Sequence, residues 1–183
     1  MKFTETKLKG AYIIEIEPLE DERGFFSRCF CKKEFEKLGL NSDIVQSNIS
    51  FNHKAGTLRG MHYQKPPYEE VKIISCHVGA IYDVIVDIRP ASETYLQWFG
   101  VELSAENRKM LYIPTEFAHG YQTLVDKTLV SYNVTNFYAQ GYEAAISWND
   151  PLIGIKWPEC ENRIISEKDS KNKTFSEFKE KYQ

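Results

Sequence analysis

Between Gly56 and Gln64 the chain reads Gly-Thr-Leu-Arg-Gly-Met-His-Tyr-Gln, a strand-like run that carries Arg59 and His62 three residues apart. Histidine titrates near neutrality, so a histidine on the inner face of a barrel can take or give a proton at physiological pH. Strict alternation along a strand puts Leu58, Gly60, His62 and Gln64 on one face and Arg59, Met61 and Tyr63 on the other. The residues alone leave a second reading open, in which His62 is a hydrogen-bonded core side chain.

The same run half-matches a metal motif. Cupin barrels open theirs with glycine, five residues and then His-x-His; here Gly56 and His62 keep the spacing, but Gln64 stands at the second ligand position. Pro114 and His119 echo the later cupin motif. Two separated histidines without a third nitrogen or a matched carboxylate make a poor transition-metal site. The pattern points to a cupin-type barrel that moves protons, with no metal and no cofactor.

The elements that must position these groups are short and numerous. Strand-like runs fall at about 11–17, 44–51, 57–63, 70–78, 80–88, 98–103, 109–113, 119–124, 128–137 and 144–147, separated by turn formers such as Lys65-Pro66-Pro67, Gly79 and Gly141. In the run Ile81–Ile88, alternation suggests a core face of Tyr82, Val84, Val86 and Ile88. Tyr82, Trp98 and Phe99 read as core residues. Helices are expected at 32–38, stopped by Gly39, and at 174–182, where Phe175, Phe178 and Tyr182 keep helical spacing. The sum is an all-β barrel or sandwich with short peripheral helices.

With 183 residues, 42% hydrophobic and 27% charged, the chain is expected to form a single domain, 1–183, able to bury a core. A net charge of −3 argues against a broad nucleic-acid face, and no apolar run reaches membrane-spanning length. The first residues show no signal-peptide pattern, so the expectation is a cytoplasmic protein. Cys29, Cys31, Cys76 and Cys160 lack the spacing of a zinc site and read as free thiols.

Many blocks in order resemble one family. They include Asp21-Glu22-Arg23-Gly24-Phe25-Phe26, Gln46-Ser47-Asn48, Leu58–Gln64, Val71-Lys72, Gly79–Arg89, Ile113–Gly120, Ser131-Tyr132, Trp148-Asn149-Asp150-Pro151 and Ser166-Glu167-Lys168-Asp169. Together they are similar to the RmlC family, the dTDP-4-dehydrorhamnose 3,5-epimerases. The resemblance implies a cupin-like jelly-roll barrel, a homodimer, no required metal, and inversion of the carbons flanking the C4 ketone of a nucleotide-linked 4-keto-6-deoxysugar. Such chemistry needs a base, a group that stabilises the enolate, and an acid on the opposite face.

By that resemblance His62 matches the base, Asp169 its carboxylate partner, Tyr132 the acid and Lys72 the cation near the C4 oxygen. Arg59 and His119 match positions at the sugar and phosphates. Arg23, Gln46, Asn48, Tyr138, Glu143 and Lys168 match the nucleotide neighbourhood, and Phe26 packs near the base. Arg23 or Phe26 could complete a partner subunit's site. The sequence also departs from the family. Arg28 stands where an acid usually holds the nucleotide, Glu70 replaces a glutamine two residues before Lys72, and Asn133 follows Tyr132. The competing readings are a single-centre epimerase or ketoisomerase on another nucleotide sugar, a non-catalytic sugar-nucleotide binding cupin, and a metal-dependent dioxygenase, against which Gln64 speaks.

Overall fold

The computed structural model describes residues 1–176. In chain order the strands are β1 (Lys2–Glu5), β2 (Tyr12–Glu15), β3 (Leu19–Asp21), β4 (Gly24–Phe26), β5 (Gln46–Asn52), β6 (Thr57–Gln64), β7 (Lys72–Val78), β8 (Ala80–Asp87), β9 (Trp98–Ser104), β10 (Lys109–Ile113), β11 (Phe117–Thr123), β12 (Thr128–Val134), β13 (Glu143–Ala145) and β14 (Ile164–Ile165). Helix α1 (Lys32–Glu36) follows β4, and α2 (Glu167–Ser170) follows β14. The expected helix at 174–182 lies outside the described residues from position 177 onward.

Two sheets face each other as a jelly roll. One has the order β1-β2-β10-β7-β12-β5; the other runs β13-β6-β11-β8-β9, with β14 added in parallel to the start of β6. The main ladders are antiparallel. Strands β3 and β4 form a separate hairpin.

The space between the sheets is filled from one end by Ile74, Ile81, Ile85, Leu103, Leu111, Phe117 and Val130. The outer faces are covered as well. Phe35 of α1 seals Ile14, Ile73, Met110 and Tyr112 behind the first sheet. The segment after β13 lays Ile146 and Ile153 over Met61, Val84, Val86 and Ala118 behind the second. This double covering corrects the expectation for β8. Ile81 and Ile85 fill the barrel interior, while Val84 and Val86 face the outer layer. Both faces of the strand are buried, so alternation could not say which was inner. Phe99 packs on the interior cluster, and Tyr82 and Trp98 on the outer one.

Candidate active site

At the other end the barrel interior opens into a cavity of about 720 Å³. Its key feature is a defect in β6. Pairing with β11 matches His119 to His62 and Tyr121 to Arg59, so three steps on β6 oppose two on β11. That is a β-bulge, and the extra residue reverses the alternation beyond it. Arg59 and His62 therefore both line the cavity, while Met61 turns into the outer layer. The expectation that Arg59 and His62 lie on opposite faces is overturned for this reason. Gly60 makes the bulge fit: its φ is +143°, and a Cβ there would lie 2.6 Å from Gly120 Cα. Only glycine tolerates both conditions.

Behind His62 stands Asp169. His62 Nε2 lies 2.7 Å from Asp169 Oδ1, and Gly60 N–H donates to Oδ2 at 3.4 Å. The Asp169 side chain is almost fully buried, whereas His62 is 44% exposed to the cavity. Burial pushes the Asp169 carboxyl up, but the His62 contact and the Gly60 amide outweigh it and hold it below its ordinary value. A carboxylate can only accept, so Nε2 carries the hydrogen and Nδ1 keeps a lone pair for proton abstraction. The local fold delivers this carboxylate. β14 clips Ile164 and Ile165 to Thr57 and Leu58, and Ser166 caps the short α2, accepting from Asp169 N–H at 3.0 Å. That turn ends directly over the bulge.

The opposite sheet contributes Tyr132 from β12 and Lys72 from β7. Burial first, then the neighbouring Tyr121 and Glu70, push the Tyr132 hydroxyl above its ordinary value, against a smaller pull from Arg59. It stays protonated at neutral pH and can act as a donor. Lys72 Nζ lies 3.3 Å from Glu70 Oε1 and donates to the His62 carbonyl at 3.4 Å.

His119 also lines the cavity, its Nε2 2.7 Å from Asp83 Oδ1. Asp83 is fully buried, and burial raises its carboxyl despite His119 and Lys72. Arg59 Nε donates to Asn52 Oδ1 at 2.9 Å, which fixes the guanidinium toward the cavity. Tyr138, Glu143 and Lys168 form part of the mouth. Gln64, the residue at the cupin ligand position, is a structural hub: its amide donates to the Tyr68 and Phe137 carbonyls and to Glu70, and its carbonyl accepts from Ala139 N–H. Among the described residues no group of three or more His, Cys, Asp or Glu is placed to hold a metal ion.

The remaining expected residues are not among the side chains that line the cavity. Arg23 pairs with Asp21 in the β3–β4 hairpin, and Phe26 there is 75% exposed. Gln46 accepts from Tyr138 N–H at 2.9 Å, so it shapes the rim through the backbone. Asn48 is in register with Tyr132 on the neighbouring strand and shares its face. Arg28, the departure at the nucleotide position, forms an ion pair with Glu34 of α1. Sequence reasoning missed the inward Asp83, Tyr121 and Asn52. For Asp83 a signal existed: it sits between Ile81 and Ile85, and a carboxylate in that row asks for a buried partner.

A jelly roll that presents a carboxylate-backed imidazole on one sheet and a protonated phenol on the other has a proton acceptor and a proton donor on facing walls of one cavity. Comparison with known proteins makes this specific. A family model described as dTDP-4-dehydrorhamnose 3,5-epimerase matches residues 5–177. The Shigella flexneri dTDP-4-dehydrorhamnose 3,5-epimerase is 43% identical over 176 residues, covering 96% of each chain. The crystal structure of the Elizabethkingia anophelis enzyme of that name superposes with a TM-score of 0.93 at 43% identity, covering 97% of each chain. A Legionella pneumophila epimerase solved in complex with dTDP-4-keto-L-rhamnose gives 0.91 at 38% identity, covering 96% of this chain and 93% of its own. The chain belongs to the dTDP-4-dehydrorhamnose 3,5-epimerase family and is an epimerase.

Proposed function

We propose that the protein inverts C3 and C5 of a dTDP-linked 4-keto-6-deoxyhexose by stepwise proton transfer. His62 Nδ1 removes the proton alpha to the C4 ketone, and the electron pair moves onto the C4 oxygen as an enolate. Asp169 holds the imidazolium that forms. The Lys72 ammonium stabilises the enolate oxygen, and Tyr132 returns a proton to the opposite face of the ring. Bulk solvent restores the two groups, and the cycle repeats at the second carbon. The observation that carries this reading is the placement of His62 and Tyr132 on facing sheets across one cavity. A single base on one side would exchange the proton without inverting the centre.

The nucleotide end of the substrate falls to Arg59, His119, Lys168, Tyr138 and Glu143, with Asn48 and Gln46 at the side of the cavity. We further propose a homodimer, working in the cytoplasm, in which Arg23 and Phe26 of one copy reach the partner's cavity. The exposed Leu19, Phe25 and Phe26 of the hairpin, together with Ile49 and Phe51 on the outward face of edge strand β5, support it. Such an apolar surface is unusual on a monomer. Light scattering that reports one chain in solution refutes this part.

Proton NMR in D2O with dTDP-4-keto-6-deoxyglucose tests the whole. Loss of both the C3 and C5 proton signals, with formation of the L-lyxo product, is the expected result. Loss at one carbon makes the protein a single-centre epimerase, and no exchange by a folded protein rejects the substrate. His62→Ala abolishes exchange while leaving the melting transition in place.

A further inference from the structure

We propose that Glu70 is a positioning residue of this site, its carboxylate fixing the place of the Lys72 ammonium and setting the charge balance of the cavity wall. The proposal rests on reading Lys72 as the cation at the enolate oxygen. Glu70 precedes β7 by two residues and lines the cavity. Its Oε1 lies 3.3 Å from Lys72 Nζ, and both side chains are only 12% exposed. The second oxygen is held as well, accepting from Gln64 Nε2 at 3.2 Å. Gln64 in turn is bonded to the loops at Tyr68, Phe137 and Ala139. Lys72 is thereby tied through Glu70 and Gln64 to the rigid rim. A lysine has four flexible side-chain bonds and places its charge only as well as its partners do. Here the partners are Glu70 and the His62 carbonyl, so the ammonium is anchored beside the backbone of the base itself.

The charge matters as much as the anchor. Among the described residues, the acidic groups acting on Lys72 are Glu70 and, from β8, Asp83. The titratable groups acting on Tyr132 are Tyr121 from β11 and Glu70, and, in the opposite direction, the cation Arg59 from β6. Glu70 is common to both. Its negative charge favours the protonated form of the phenol. A neutral side chain in its place leaves the cavity one charge more positive. Tyr132 then gives up its proton at lower pH. An anionic nucleotide sugar is meanwhile held at least as well.

Glu70→Gln keeps the size and an oxygen acceptor for Lys72 while removing the charge. In the wild type and Glu70→Gln, two quantities are followed: kcat for epimerisation against pH, and the titration of the Tyr132 ring by carbon-13 NMR of labelled tyrosine. The expected result is an alkaline limb of kcat, and a Tyr132 titration, both displaced to lower pH, with KM unchanged or lower. Glu70→Ala shows the same displacement and a further loss of kcat of about tenfold, because Lys72 loses its side-chain acceptor; the glutamine variant, which keeps that acceptor, recovers the rate without recovering the limb. A purely structural glutamate would change the melting temperature and leave both titrations where they were. If the wild type epimerises and Glu70→Gln matches it in both titrations, this inference falls alone. If the wild type shows no exchange, the epimerase reading falls, and the catalytic role of Glu70 falls with it.

Discussion

Replacing Asp169 by asparagine and by alanine separates two jobs of one carboxylate. The first is electrostatic: Oδ1 sits 2.7 Å from His62 Nε2 and stabilises the imidazolium. A hydrogen bond to a charged partner contributes about 1.5–3 kcal/mol. The imidazole is 44% exposed, and solvent on that side screens the pair, which leaves about 2 kcal/mol. At about 1.4 kcal/mol per tenfold in rate, losing it slows proton abstraction about 30-fold. Alanine removes this and leaves the tautomer free, without forcing the wrong one. The second job is to fix the tautomer. Asparagine can turn its amide N–H toward Nε2, which drives the hydrogen to Nδ1 and blocks the nitrogen that faces substrate. In a serine-protease triad the same exchange costs roughly 10⁴. Asp169→Asn is therefore the worse variant, despite its closer shape. Deuterium wash-in at C3 and C5, read by NMR under saturating substrate, measures both. Asparagine within threefold of wild type, or alanine slower than asparagine, refutes the reasoning. The stability consequence has a definite sign. The Asp169 carboxyl lies below its ordinary value of 3.8 in the folded chain, so its contribution is complete above about pH 4 and is lost as pH falls through the folded value. The stability gap between wild type and Asp169→Asn narrows over that range.

Three other perturbations reach different parts of the argument. Tyr132→Phe lowers product formation at least tenfold more than it lowers deuterium exchange, because His62 can return a proton to the face it left; equal losses in the two assays exclude Tyr132 as the acid. Gly120→Ala places a Cβ 2.7 Å from the Arg59 carbonyl and 2.7 Å from Met61 Sδ; overpacking of this kind costs about 1–3 kcal/mol, and both the melting temperature and kcat fall, whereas an unchanged kcat shows that the bulge does not set the catalytic geometry. Asp87 is buried among Arg89, Ser92 and Thr94; burial pushes it up, but these partners outweigh it and hold it at about 2. Against an ordinary 3.8 that is worth about 2 kcal/mol of stability above pH 4, lost as pH falls toward 2, and urea melts of wild type and Asp87→Asn converge over that window.

Most strands were readable because their residues announce them. β10 falls where expected, and β6, β8 and β9 differ at the C-terminal end by one residue, since β-branched and aromatic runs between turn formers leave little choice. The elements that escaped, β1 (Lys2–Glu5) apart, are those whose stability is not their own. β14 has two residues and exists because it clips onto β6. α2 is one turn, closed by the Ser166 cap. The β3–β4 hairpin is polar apart from Leu19, Phe25 and Phe26, and its side chains are exposed. Local propensity is silent on all three. Asp169 shows the cost of that silence. Nothing in Ser166-Glu167-Lys168-Asp169 sets it apart from a charged tail, and only the family likeness named it. Its meaning comes from β14, which brings it onto His62 from 107 residues along the chain.

The bulge at Gly60 is where sequence pattern and chemistry part company, and the reason is general. Alternation predicts faces correctly only while the ladder is regular, and function here requires that it not be. A regular β6 would send Arg59 and Met61 to one face and His62 to the other, so the base would share the cavity with no cation from its own strand. One extra residue sends Met61 outward to the apolar layer and brings Arg59 and His62 inward together. Two glycines that face each other, Gly60 and Gly120, make the close crossing. The local rule fails at the point where the strand is shaped for the site rather than for the sheet, as expected of a sequence otherwise consistent with its fold. The sequence signal was present but unread: a glycine between an arginine and a histidine, opposite a second glycine that follows His119, marks a crossing that only missing side chains allow.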